Sequence, residues 1–211
     1  MIVHDVVQGS PEWYKLRLGK FTASTFGKVL TPKTHKMSAS SIQLENEVVG
    51  QILTGEYDGE EGDDGYDDEF GGSYFTERGK RLEPKAIQAY EMMTGNTVKR
   101  AGFITNDAGT IGASLDGLLG KDGTVEIKCL KRRNHVGLFY KKEISAKHFP
   151  QCQGQLWVAK RKWCDNFFYH PKLKPFCIRL EMDVLYCAKL EAALNQMVKN
   201  VAEKVAEMRT A

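Results

Sequence analysis

Long apolar runs are absent from this sequence. No stretch approaches the roughly 18 to 20 residues that a helix needs to cross a bilayer, which excludes a helical membrane protein. The first ten residues carry neither a basic flank nor an apolar core, so no secretory leader is read there and a cytoplasmic protein is expected. Cysteine is sparse and unpatterned. Cys129, Cys152, Cys164, Cys177 and Cys187 are odd in number and show no CxxC pair, which argues against a disulfide framework or a zinc site and for reduced core thiols. No internal repeat is present, which excludes solenoid and propeller architectures. Lys and Arg are missing altogether from Glu56 to Glu69, a Gly-rich segment with nine acids.

What is present describes a folded protein. At 211 residues, 42% apolar and with three Trp, the chain is long enough for one sizeable core, and a single domain over residues 1–211 is expected. The formal charge of +3 hides an asymmetry: outside the acidic segment, 30 basic residues face 18 acidic ones, a net +12. A basic body attracts polyanions, nucleic acid first among them. Residues 55–72 are expected to form a solvated insertion without regular structure. They do not fit a Ca2+ loop, because Asp58 leads to Glu60 and then Gly62.

Ser10-Pro11-Glu12 reads as an N-cap, a first-turn Pro and a first-turn acid, opening a helix through Leu18 that Gly19 stops. Thr22-Ala23-Ser24 reads as a second cap with a short helix to about Leu30. Arg17 and Ser24 flank the connection, where a guanidinium, a hydroxyl and free helix amides would suit a phosphate; a solvated Arg and a plain cap fit the same residues. Thr31–Ser41 reads as a polar loop whose Lys33, His35 and Lys36 point to a nucleic-acid backbone. Helices are expected over Ile42–Leu53 and Tyr74–Thr94, the latter containing Pro84. Strands are expected over Val98–Thr105, Ile111–Leu119 and Val125–Leu130. Asn134 is read as the cap of a helix through Tyr140, and another helix begins near Pro150. Strands Asp165–Tyr169 and Phe176–Glu181 follow, then a long amphipathic helix from Val184 that uses Leu185, Leu190, Leu194 and Met197.

The chemistry concentrates in Ile111–Lys128. Asp116 is placed at the end of one strand, and a turn built from Gly117, Gly120, Asp122 and Gly123 leads to a second strand bearing Glu126 and Lys128. Alternation points Glu126 and Lys128 one way and Val125 and Ile127 the other. Two crowded carboxylates need a cation or a shared proton, and oxygen ligands suit a hard ion such as Mg2+. The same spacing also describes a surface hairpin with a solvated Glu–Lys pair, so the rest of the chain decides. Glu83 lies four residues after Gly79 and shares its helix face, a candidate third carboxylate. Gln151 and Gln155 share a face and Gln153 points away. Lys131, Arg132 and Arg133 form a basic cluster beside the acidic pair.

Five segments in one order, Gln8–Ser24, Gly79–Glu83, Ala113–Leu119, Glu126–Lys128 and Gln151–Val158, resemble the lambda exonuclease or YqaJ-type viral recombinase family of PD-(D/E)xK nucleases. The resemblance implies an α/β fold, a restriction-endonuclease-like core with a central mixed sheet flanked by helices. It implies Mg2+, with Mn2+ as a substitute, on Asp116, Glu126 and the Ile127 carbonyl, with Glu83 serving a second ion. Lys128 would orient or activate the attacking water and Gln151 would position the nucleophile or phosphate. Arg17 and Ser24, with Thr22 beside them, would grip a 5′-terminal phosphate, and Lys131, Arg132 and Arg133 would contact DNA. It further implies 5′-to-3′ digestion of double-stranded DNA ends, a homotrimeric ring, a single-strand annealing partner and a phage or prophage setting in a bacterial host cell. Leu115 stands where the motif's name has Pro, and the acidic segment has no counterpart in the pattern.

Overall fold

The computed structural model describes residues 1–57 and 72–210; most of the proposed insertion at 55–72 lies outside them. Ser10 caps α1 (Pro11–Arg17) as expected, its Oγ accepting from the Trp13 amide at 3.2 Å, with Pro11 in the first turn. The next segment departs from expectation. Phe21–Thr22 is a two-residue strand, β2, followed by a 3-10 helix over Ala23–Lys28, and Thr22 makes no side-chain cap. Its hydroxyl is engaged by Arg17 instead. Helix α2 (Ser40–Thr54) ends at Gly55, whose φ of 72° lets its amide close on the Gln51 carbonyl. Helix α3 (Gly72–Thr94) runs through Pro84, α4 covers Arg132–Lys141, α5 Phe149–Val158 and α6 Val184–Thr210. Asn134 therefore sits inside the first turn of α4, and Lys131 holds the cap position. His35, expected to point outward, lays its ring edge-on to Tyr186 at 5.0 Å.

The remaining strands are β1 (Ile2–His4), β3 (Val98–Thr105), β4 (Ile111–Leu119), β5 (Gly123–Lys128), β6 (Trp163–Phe168) and β7 (Phe176–Glu181). They form a mixed seven-stranded sheet in the order β1-β3-β4-β5-β6-β7, with β2 parallel to the start of β4. The β5–β6 pair is parallel and needs a crossover, which α4 and α5 supply. One face packs Val125, Ile127 and Phe167 against Ala86, Ile87 and Tyr90 of α3. The other joins Ile111, Ala113 and Leu115 to Phe26, to Leu44 and Val48 of α2, and to Leu190, Leu194 and Met197 of α6. Val184 and Leu185 are exposed, so the buried stripe of α6 begins at Tyr186 rather than at Leu185. Buried Glu45 on α2 ties the two helices together, accepting from Lys204 Nζ at 2.7 Å and Asn200 Nδ2 at 2.8 Å. All five cysteines are free thiols, with Cys152, Cys164 and Cys187 buried. Among the described residues no helix is long and apolar enough to cross a membrane.

Strand β4 is irregular where the chemistry lies. It spans Ile111–Leu119 as expected, so the competing placement of Asp116 at the strand end and Gly117 in the turn does not hold. Lys99 pairs with Leu118 but Ala101 with Leu115, so β4 carries one extra residue in the Asp116–Gly117 region. Such a bulge redirects a side chain that a regular pleat would fix. Gly117 is required here, because a Cβ would lie 2.2 Å from Val98 Cγ1. On its other edge, β4 pairs with β2 at residues 111–112 and with β5 at residues 117–119. Between these two ladders the edge opens into a fork.

Candidate active site

The fork holds the acidic pair. The β4–β5 ladder stops at Gly117–Val125, and beyond it Asp116 Oδ2 accepts from the Ile127 amide at 2.6 Å. The carboxylate thus satisfies a strand donor that the splayed ladder leaves unpaired. Glu126 lies on the face opposite the Val125–Ile127 core, as alternation requires, and is 5% exposed. Three donors hold its carboxylate. Lys128 Nζ lies 3.1 Å and Gln151 Nε2 3.2 Å from Oε1, and Gln155 Nε2 lies 2.8 Å from Oε2.

Burial pushes the Asp116 carboxyl well above the usual carboxylate range, and the charges of Glu126 and Glu83 raise it further. The Ile127 amide and Lys128 oppose that shift without cancelling it. Glu83 is half-buried and faces Arg100 Nη2 at 3.6 Å, so it reaches the centre through its charge. Among the described residues no three His, Cys, Asp or Glu side chains converge as a metal cluster. The donor set nevertheless suits a hard cation. Two carboxylates crowd one fork, one of them resists ionising, and the buried Gln155 Oε1 has no hydrogen-bond partner. A cation there would relieve the Asp116–Glu126 repulsion and give an acceptor-rich pocket its counter-charge.

A second site lies at the other end of the opening. Arg17, expected as either a phosphate ligand or a solvated cation, is 3% exposed. Its guanidinium stacks on Trp13 at 4.4 Å and donates to Tyr57 Oη, Ser114 Oγ, Thr22 Oγ1 and Ser24 Oγ at 3.1–3.3 Å. A buried cation ringed by hydroxyls has the charge and donors that an anion with several acceptor oxygens would need. Ser114 joins the two sites. It stands two residues before Asp116 in β4, its Oγ accepts from Trp13 Nε1 and Arg17, and its carbonyl accepts from Gln155 Nε2 at 3.0 Å.

The structure therefore brings Asp116, Glu126, Lys128 and Gln151 together at the fork, and Arg17, Thr22 and Ser24 together around the buried guanidinium. Arg132 and Arg133 are exposed at the start of α4, with Lys131 at its cap position. Sequence reasoning missed three contributors. Ser114 had a signal, its place two residues from Asp116, and Gln155 had one in the face it shares with Gln151. Tyr57 had none, because its contact with Arg17 spans 40 residues.

The model of the YqaJ-like viral recombinase domain matches residues 12–162. The structure resembles an alkaline exonuclease (LHK-Exo) from Laribacter hongkongensis, 29% identical, covering 95% of this chain and 97% of that one with a TM-score of 0.80. A complex of LHK-Exo with dAMP matches equally well, at 28% identity, the same coverage and a TM-score of 0.80. A phage related exonuclease from Haemophilus somnus 129PT shares the fold at 16% identity, covering 90% of this chain and 96% of that one with a TM-score of 0.65. No curated protein matches by sequence. With a PD-(D/E)xK-like mixed sheet, a forked acidic centre and the matching domain over most of its length, the chain belongs to the YqaJ-like viral recombinase family of alkaline exonuclease-type nucleases.

Proposed function

We propose that the protein is a Mg2+-dependent exonuclease that removes nucleotides from the 5′ end of one strand of linear duplex DNA. The observation that carries this reading is the pairing of two sites on one strand. Ser114 serves the buried Arg17 site and Asp116 the acidic fork, two residues apart or roughly 6.8 Å along an extended chain. That separation is on the scale of one nucleotide, so a terminal phosphate at Arg17 would leave the next phosphodiester at the fork. That the similar LHK-Exo forms a complex with dAMP supports a nucleotide as ligand.

In this reading Asp116 and Glu126, with the Ile127 carbonyl, hold the ion, and Glu83 serves a second, weaker one; Mn2+ is a substitute. When bound, the ion supplies charge neutralisation at the scissile phosphate. Lys128 orients the attacking water and offsets the charge that develops on the phosphate oxygens. Its amine and the Gln151 amide converge on one oxygen of Glu126, which sets both within reach of a substrate in the fork. Arg17, Ser24 and Thr22 bind the 5′-phosphate, and Lys131, Arg132 and Arg133 contact the DNA backbone. A homotrimeric ring, a single-strand annealing partner and a bacterial cytoplasm complete the proposal, on the strength of the family.

Digestion of a linear duplex labelled at either end, with and without a 5′-phosphate, tests it in the presence of Mg2+. Wild type should release label from the 5′ end and leave covalently closed circles intact. Arg17→Ala should slow digestion of phosphorylated ends by about 10- to 100-fold, the scale of a lost charge-assisted contact, and hydroxyl ends much less. Equal loss on both ends would refute the assignment of Arg17, and cutting of closed circles would make the enzyme an endonuclease.

A further inference from the structure

We propose that a basic cluster beyond the ends of β5 and β6, formed by Arg132, His170 and Lys172 with Arg78 behind them, is a second phosphate-binding surface that holds the cleaved strand on the 3′ side of the scissile bond. The inference rests on the exonuclease reading and extends it to the path of the DNA.

Placement comes first. Strands β5 and β6 are parallel and in register, Lys128 beside Phe168, so residues 131–133 and 170–172 leave the sheet at the same end. Strand β4 runs antiparallel to β5, so its Ser114 side lies at that end too. At that end the Arg17 site lies beside β2 and β4, the acidic fork opens where β5 leaves the same edge of β4, and the basic cluster lies beyond the ends of β5 and β6. The Arg17 site adjoins the fork through Ser114, and the basic cluster adjoins it through the β5 exit, where Arg78 binds the Cys129 carbonyl and the Cys129 thiol feels the charges of Arg78, Glu83 and Asp116 together. A strand with its 5′-phosphate at Arg17 and its first phosphodiester at the fork continues toward Arg132 and Lys172.

Charge comes second. Burial and the nearby Arg78, His135, Arg132 and Lys172 all make the His170 ring harder to protonate, and no carboxylate opposes them. Among the described residues, Arg132, Arg133 and Lys172 have no carboxylate partner. The start of α4 adds to the imbalance. It has no side-chain cap and no acid in its first turn, so its positive dipole end faces Arg132 and Arg133. Like charges gathered at a helix start are unfavourable until an anion joins them. One turn into α4, His135 is 2% exposed, 6.1 Å from the His170 ring, with Nε2 on the Lys174 carbonyl and Nδ1 without a partner. Arg78 fixes the β5 exit by donating to the Cys129 and Leu130 carbonyls at 2.6 and 3.4 Å. Exposed Arg and Lys around a pinned turn suit backbone phosphates, which are gripped without regard to sequence.

The test is binding of 5′-phosphorylated oligonucleotides of about four and about twelve nucleotides, in EDTA to prevent cleavage, by fluorescence anisotropy across a salt series. Wild type should bind the longer one more tightly and with a steeper salt dependence. In Arg132→Ala/Lys172→Ala the gain from lengthening should shrink, and the log–log salt slope for the longer one should fall by about 2, one per lost phosphate contact. Lys189→Ala/Lys199→Ala, which removes the same charge from exposed positions on α6, should keep both. An unaltered length gain in the first variant, or an equal loss in the second, overturns the proposal. Failure of wild type to bind any phosphorylated oligonucleotide defeats the end-binding reading itself, a result separate from either.

Discussion

The β5–β6 pair carries a buried acid on each face. On the α3 face, Asp165 of β6 accepts from Arg179 Nε at 2.7 Å, Arg179 Nη2 at 2.9 Å and Tyr90 Oη at 2.8 Å. Arg179 in turn stacks on Trp163 at 3.7 Å. On the α5 face, Glu126 is held by two amides and one amine, and it shares the fork with a second carboxylate that burial makes harder to ionise. Both acids are nearly inaccessible, at 3% and 5% exposure, but only the first has its charge matched by a bidentate cation of its own. The difference teaches what burial of a carboxylate is for. Matched, it fixes a strand pair; crowded beside another acid, it keeps a demand for cation that folding leaves unmet.

Removing an acid from each face breaks the comparison most directly. Asp116→Ala or Glu126→Ala should reduce cleavage by about 10^3-fold or more while DNA binding persists, as nucleotide release and anisotropy would show. If cleavage survives, the fork is not the centre. Asp165→Ala should instead cost about 2 to 4 kcal/mol of stability, read from urea unfolding, because it strands the Tyr90 hydroxyl and half-exposed Arg179. Activity per folded molecule should stay close to wild type, and a large loss there would mean the two faces are not separate in function.

Smaller effects sharpen the contrast. Gln155→Met keeps the side chain's length but removes the donor shared by Glu126 and the Ser114 carbonyl. It should lower turnover by about 10- to 100-fold and raise the Mg2+ concentration needed for half-maximal rate. A purely structural Gln155 would lower melting temperature and leave the metal requirement alone. The smallest effect is a gain. Asp116 has a raised carboxyl in the folded state, so the metal-free protein is favoured below the ordinary carboxylate range and loses that advantage as pH rises through the raised value. Asp116→Asn should therefore stabilise the metal-free protein at neutral pH, read as a higher melting temperature, a gain that fades on acidification. A destabilised variant at neutral pH would show that the fork's acids are already compensated.

Periodicity made the centre's frame legible and left its aim obscure. Alternation in β5 placed Glu126 and Lys128 opposite Val125 and Ile127, and the i, i+4 spacing in α5 placed Gln151 and Gln155 together, because both patterns are local. The cap and Pro of α1 were equally plain. Strands β1 and β2 escaped notice because two or three residues hold no period. The bounds of β4, Ile111–Leu119, were legible, but its bulge is set by pairing with β3, so the reading that ended a strand at Asp116 and put Gly117 in the turn failed. Thr22 looked like a cap because its type and place allowed it; Arg17 drew the hydroxyl away. The opening of α4 was placed three residues late because Asn134 is by type a better cap than Lys131.

The sources of the site's residues have a consequence for the chain's synthesis. Arg17, Ser114, Asp116, Glu126 and Gln155 come from α1, β4, β5 and α5, and they meet only across pairings far apart in sequence. A ribosome delivers the acids well before the glutamines that orient them, so a growing chain that ends short of Val158 contains the ligands but not the arrangement. The long-range contacts that complete it are also the slow ones to form. The candidate centre is thus incomplete in the growing chain until the crossover between β5 and β6 has closed.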